Sequence, residues 1–263
     1  MDFKNVGQMK RAIIFDLDGT LTPSKALMTS EMAAVFAQAL DQFEVCVISG
    51  GSFKRFEKQL FASLPEEVRL SKLTIMPTCG TQRYEYDDAT GSWHLAYIDE
   101  LSGHQRQQIV AALEEGIAHF GYDKLEAHGE RIEDRGSQIT YSALGQDIAD
   151  VQGAEGLRRK AAWDMDNSKK EQLREYVQRR LPDFEVRISS PTSIDVSKPG
   201  MDKAYGVNEF LRIRSLAPEA VVFFGDRLMP GGNDYPVKRL GVDCIPVENW
   251  QEAASILKQI LDA

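Results

Sequence analysis

The chain has 263 residues, 43% of them hydrophobic, and a formal net charge of −9 from 31 Lys and Arg against 40 Asp and Glu. That balance excludes a protein built to coat nucleic acid or anionic lipid, because both need a basic face. No apolar run approaches the ~20 residues of a membrane-spanning helix, and the one that follows Lys10 and Arg11 meets Asp16 too soon to be the core of a secretion signal.

Residues 11–16, Arg-Ala-Ile-Ile-Phe-Asp, form a short apolar run without helical periodicity, bounded by Gly19 and Thr20. This pattern predicts a buried parallel strand. A helix follows, with Ser30 as its cap, Glu31 at its positive end, and Met32, Val35, Phe36, Ala39 and Leu40 at helical spacing. Residues 43–48 predict a second strand, ending in Ser49-Gly50-Gly51, and Phe53, Phe56 and Leu60 mark the face of the next helix. The alternation of strand and helix predicts a doubly wound α/β sheet.

From about Tyr86 to Ile188 the grammar changes. Ile109, Leu113, Ile117 and Phe120 make one helix face, Leu173, Tyr176 and Val177 another, and residues 136–142 alternate like a half-solvated antiparallel strand. Pro191-Thr192 reads as the return hinge. The α/β pattern then resumes: residues 220–224 predict a buried strand stopping at Gly225-Asp226. Residues 242–247 predict an edge strand, given Pro246, and Asn249 is placed to cap a last helix. The organisation expected is a core of residues 1–85 and 189–263 with an inserted α+β cap of residues 86–188. The three cysteines, Cys46, Cys79 and Cys244, are odd in number and widely spaced. They predict small buried thiols in a reducing compartment, hence a cytoplasmic protein.

Asp16 and Asp18 stand where the first strand ends, two residues apart and so on one side of an extended segment. Ser49 ends the second strand, Asp226 a later one, and Asp234 follows in the same loop. Ligands of open α/β sheets bind beyond the carboxyl ends of the strands, where these groups project. Clustered carboxylates repel unless a cation neutralises them, and an all-oxygen set suits Mg²⁺ shared with a substrate phosphate. A shielded carboxylate can then act as a nucleophile at phosphorus while a second serves as acid and base. Lys203 and Ser49 are the candidates for holding the transferring phosphoryl group. Taken singly, Lys203 reads as a surface lysine and Ser49 fits a helix cap, while an Asp-x-Asp-Gly-Thr stretch at a strand end is only sometimes a plain turn. Their order at successive strand ends favours the chemical reading.

Four segments, Phe15-Asp-Leu-Asp-Gly-Thr20, Ser49, Lys203, and Gly225-Asp226 with Asn233-Asp234, resemble the four ordered motifs of the haloacid dehalogenase superfamily. The insertion between the second and third resembles its large α/β-cap branch. Residues 17–22, 193–196 with 200–203, and above all 223–234 are similar to eukaryotic-type phosphomannomutases. The resemblance implies Asp16 as nucleophile, Asp18 as general acid/base, and Ser49 and Lys203 as phosphate-stabilising. It implies Mg²⁺ held by Asp16, the Asp18 carbonyl and Asp226, supported by Asn233 and Asp234. It places Arg135, Ser193 and Asp195 of the cap, with Gly50, on the substrate, and it allows a homodimer.

One departure bears on the activity. Where the family carries a second cap arginine this chain has Gln146, and a third has no counterpart in residues 147–152. Glutamine does not replace a guanidinium fork on phosphate. Arg131, Arg158 and Arg159 read as solvated surface charge. The expectation is therefore a Mg²⁺-dependent phosphatase acting on a sugar phosphate or similar small metabolite through an aspartyl-phosphate. The alternatives are a phosphomannomutase and a non-catalytic binding module.

Overall fold

The computed structural model describes residues 3–23 and 26–262. They divide into two compact units, a core that runs to Ile98 and resumes at Met201, and an inserted unit, Asp99–Gly200. In the core, α1 (Phe3–Met9) precedes β1 (Ala12–Asp16), α2 (Ser30–Gln42), β2 (Glu44–Ile48), α3 (Phe53–Gln59), β3 (Leu73–Met76), β4 (Gln82–Asp87) and β5 (Ser92–Ile98). The inserted unit holds α4 (Gly103–His119), β6 (Ile132–Asp134), β7 (Gln138–Ser142), α5 (Ile148–Trp163), α6 (Ser168–Arg180), β8 (Glu185–Ser190) and β9 (Ser193–Ser197). The core resumes with α7 (Lys203–Arg214), β10 (Val221–Gly225), β11 (Asp243–Pro246) and α8 (Trp250–Leu261).

The core sheet runs β11-β10-β1-β2-β3-β4-β5. Its first five strands are parallel, and β4 and β5 are antiparallel. β1 lies in the middle of the parallel part, which is why its run is apolar at every position. Ile13 and Phe15 pack with residues of α2 and α8 on one face, while Ala12 and Ile14 pack with Val207, Phe210 and Leu211 of α7 on the other. β11 is the edge strand that Pro246 suits. Asn249 caps α8, accepting from Glu252 N at 3.0 Å. At α2 the cap is Thr29, whose hydroxyl accepts from Met32 N, and Ser30 is already the first helical residue.

The inserted sheet is antiparallel in the order β6-β7-β9-β8. Ile139, Tyr141, Val186, Ile194 and Val196 pack with Ile109, Leu113, Leu173 and Val177 of α4 and α6.

Other sequence readings change here. Residues 138–142 are all buried, not half-solvated, and Thr140 and Ser142 have carboxylate and hydroxyl partners within the unit. Pro191-Thr192 is the turn between β8 and β9 and not a hinge, since the chain leaves the unit at Gly200. The boundaries 85/86 and 188/189 fall inside β4 and β8. The β4–β5 hairpin has the half-polar composition of an antiparallel edge, so composition changes before the unit does. Cys46 is buried, as expected, but Cys79 and Cys244 are only partly so.

Candidate active site

β1 ends at Asp16, β2 stops just before Ser49, and β10 just before Asp226. Because β1 sits between β2 and β10, these three strand ends are neighbours. The chain winds outward from β1 in both directions, so the site stands where the strand order reverses.

Lys203, the first residue of α7, is fully buried; as a lone sequence feature it reads as a surface lysine. Its ammonium donates to a carboxylate oxygen of Asp16 and, at 2.5 Å, to Asp234 Oδ1. Asp234 is fixed from its other oxygen, which accepts from Arg227 N at 2.9 Å. Two glycines make this approach possible. Gly19 has φ +89°, and a Cβ there would stand 2.6 Å from Asp226 Oδ2; a Cβ on Gly225 would stand 2.6 Å from Asp234 Oδ2.

Oxygens of Asp16, Asp226 and Asp234 all lie within 4.8 Å of one another. Burial pushes the Asp16 carboxyl well above its ordinary pKa, and the charges of Asp234 and Asp18 add to this against the pull of Lys203. Burial and the charge of Asp234 raise Asp226 likewise. Burial disfavours the Lys203 charge, yet Asp16 and Asp234 outweigh it and hold the lysine above its usual value. Three carboxylates, those of Asp16 and Asp234 buried and that of Asp226 partly so, face one buried ammonium, an excess of formal negative charge. A divalent cation with oxygen preference balances that excess.

The remaining predicted residues distribute unevenly. Ser49 is buried, and its Oγ accepts from Gly51 N at 3.2 Å, with Gly50 between them. Asp18 lies beyond the end of β1 in a tight turn, where Gly19 N donates to Thr22 O at 2.8 Å. Its carboxylate is half-buried and faces Arg55 Nη1 at 3.4 Å, while its charge still acts on Asp16. Asn233 is exposed. Sequence reasoning missed Arg55, although it follows the Ser49-Gly50-Gly51 loop closely. Gly51 leaves it room, since a Cβ there would meet Arg55 Cδ at 2.8 Å.

Arg135, Ser193 and Asp195 belong to the inserted unit. Glu133, Thr140, Asp195 and Arg187 stand in register across its four strands and so on one face. Thr140 Oγ1 donates to Asp195 Oδ1 at 2.8 Å. Arg135 directs Nε and Nη2 to Glu133. Gln146 donates from Nε2 to the Thr140 carbonyl at 3.4 Å. Arg131 donates to the Leu125 carbonyl, Arg158 pairs with Glu155, and Arg159 pairs with Glu126.

Residues 32–262 match the family model described as eukaryotic phosphomannomutase. The chain belongs to that family. The match begins after Asp16 and Asp18, yet the fold delivers Asp16 to Lys203 and Asp234, which lie inside it. The phosphomannomutase of Saccharomyces cerevisiae is 22% identical over 227 residues, covering 86% of this chain and 84% of the yeast one. Human phosphomannomutase 1 is 24% identical over 232 residues, 85% of this chain and 81% of its own. Among solved structures, a haloacid dehalogenase-like hydrolase from Bacteroides thetaiotaomicron superposes with a TM-score of 0.61 at 15% identity, over 95% of this chain and 99% of that one. The fold is therefore the haloacid dehalogenase fold. Among the described residues, no helix is long and apolar enough to cross a membrane.

Proposed function

We propose that this protein is a Mg²⁺-dependent phosphotransferase of sugar phosphates that works through Asp16, with mannose phosphates and phosphomannomutase activity as the first reading. The observation that carries it is Lys203 bridging Asp16 and Asp234 beside Asp226, within a chain whose curated relatives bear the name phosphomannomutase. Asp16, Asp226 and Asp234, with the Asp18 carbonyl, are the residues that would hold the metal. When bound, the metal supplies charge neutralisation for an incoming phosphate. Lys203 holds Asp16 at one oxygen, leaving the other to attack phosphorus. A bond forms from Asp16 to phosphorus as the bond to the ester oxygen breaks, and Asp18 gives that oxygen a proton. In the second half Asp18 takes a proton from the acceptor hydroxyl, which attacks phosphorus and frees Asp16. Ser49 and Lys203 steady the phosphoryl oxygens.

The preference for hydrolysis drawn from the sequence gives way to the mutase reading, because the family match runs through the whole inserted unit. Hydrolysis stays as the second reading on one observation: the side chain at 146 is an amide on the Thr140 carbonyl and not a guanidinium. Phosphorus NMR separates the two. With Mg²⁺ and a trace of hexose 1,6-bisphosphate, mannose 6-phosphate should convert to mannose 1-phosphate faster than inorganic phosphate appears. The reverse order selects the phosphatase. Asp16→Asn should abolish either reaction with the fold retained, and turnover in that variant sinks the mechanism.

A further inference from the structure

We infer that the core carries a second anion site, at the amino ends of its parallel strands, that takes a hydroxyl-bearing phosphate monoester. The inference does not depend on the catalytic reading above. A cavity of about 370 Å³ is lined by Lys10, Arg11, Gln42, Glu44, Lys72 and Arg214, all within the core. Lys10 and Arg11 immediately precede β1, Gln42 closes α2, Glu44 opens β2, Lys72 precedes β3 and Arg214 closes α7. β1, β2 and β3 are parallel neighbours. These residues therefore gather at the edge of the sheet opposite Asp16 and Ser49.

Four cations and one carboxylate line this space, in a chain whose net charge is −9. Their partners account for only part of the charge. The Lys10 side chain is 6% exposed and donates to the Glu219 carbonyl and, at 2.6 Å, to Asp243 Oδ2. Arg214 donates from Nη2 to Thr74 Oγ1 at 2.9 Å, and its Nε lies 3.3 Å from Glu44 Oε2. Asp243 thus offsets Lys10, and Glu44 offsets Arg214. Lys72 donates only to a carbonyl, that of Asp41, at 2.8 Å. Arg11 is exposed and has no side-chain partner among the described residues. Two positive charges remain, and a phosphate monoester carries nearly two negative ones at neutral pH. A guanidinium fork is suited to its oxygens. Glu44 opposes a second anionic group, whereas its carboxylate and the Gln42 amide suit hydroxyls. Leu216 adds an apolar wall. The volume exceeds that of a bare phosphate and falls in the range of small-molecule sites.

Amide-resolved NMR of the protein in EDTA, titrated with glucose 6-phosphate, tests the site. Amides of residues 10–13, 43–45 and 214–216 should shift saturably. Glucose, or sodium chloride at equal ionic strength, should leave them in place. Amides of residues 17–20 and 49–51 report binding at the catalytic end separately. Arg11→Ala breaks no side-chain contact and should weaken binding about tenfold or more, the effect of one charge-assisted bond to phosphate; Arg11→Lys should retain part of the affinity. No saturable shift at millimolar ester, the same shifts from chloride, or unchanged affinity in a folded Arg11→Ala overturns the inference. Shifts confined to residues 17–20 and 49–51 overturn it as well, since they place the ester at the catalytic carboxylates.

Discussion

At the residue scale the site is a balance between repulsion and enforced proximity. Asp226 is brought close to Asp16 and Asp234 by a glycine on each side, and burial first, then the charge of Asp234, raises its pKa. Asp226→Asn should therefore raise the melting temperature of metal-free protein by roughly 2–4 °C, the usual effect of about 1 kcal/mol at this size. The same variant should lose the stabilisation that Mg²⁺ gives to wild type. Scanning fluorimetry in EDTA and in Mg²⁺ reads both, and a variant that melts lower than wild type without metal contradicts the repulsion argument. Gly19→Ala provides the steric counterpart. Its Cβ would need the space of Asp226 Oδ2 and would carry a strained φ of +89°, so the Mg²⁺ response should fail while Asp226 is still present.

At the scale of elements, the inserted unit depends on a buried ion pair. Lys170 on α6 donates to Asp164 Oδ2 at 2.8 Å and to the Pro191 carbonyl at 2.8 Å, tying α6 to the β8–β9 turn. Both side chains are almost wholly buried. Burial alone would push the Asp164 pKa up, but the Lys170 ammonium and the backbone N–H groups of residues 169 and 170 prevail and lower it from 3.8. A depressed carboxylate contributes stability that is complete above its unfolded value and is lost as pH falls through the folded one. Stability of this unit should accordingly fall below about pH 4, and Asp164→Asn should flatten that slope. Lys170→Ala strands a buried carboxylate and should cost about 3–5 kcal/mol. Urea titrations at pH 7 and pH 3.5 check both statements. A Lys170→Ala loss below 1 kcal/mol would mean the pair is dispensable.

For the whole molecule, the two units should respond differently to metal. The carboxylates lie in the core, so binding energy enters there. At a hundredfold excess over Kd, Mg²⁺ should add about 2.7 kcal/mol to unfolding of the unit that binds it. Hydrogen exchange should slow at β1, β10 and the start of α7 on adding Mg²⁺, with β7 and β9 of the inserted unit little changed. Equal slowing in both units would show that they unfold as one.

The features legible in the chain alone are local. Apolar runs without helical period announced β1, β2 and β10, and their polar terminators marked Asp16, Ser49 and Asp226 as strand-end groups. The physical reason is that a strand buried on both faces has no polar positions until it leaves the sheet. The order of the motifs and the family resemblance were legible for the same reason, being carried by contiguous residues. Tertiary structure decided whatever depends on pairing over distance. Lys203 is 187 residues from Asp16, and nothing near it in the chain announces that it is buried between two carboxylates. The polar alternation of residues 138–142 suggests a wet face, but all five residues are buried and Thr140 donates across the strands to Asp195. Arg187 becomes a neighbour of Asp195 only through a turn with a register shift between Ile188 and Ser190. Composition announces neither that shift nor its partner, because pairing is set by which backbones meet across the sheet and not by the residues on either side of the turn.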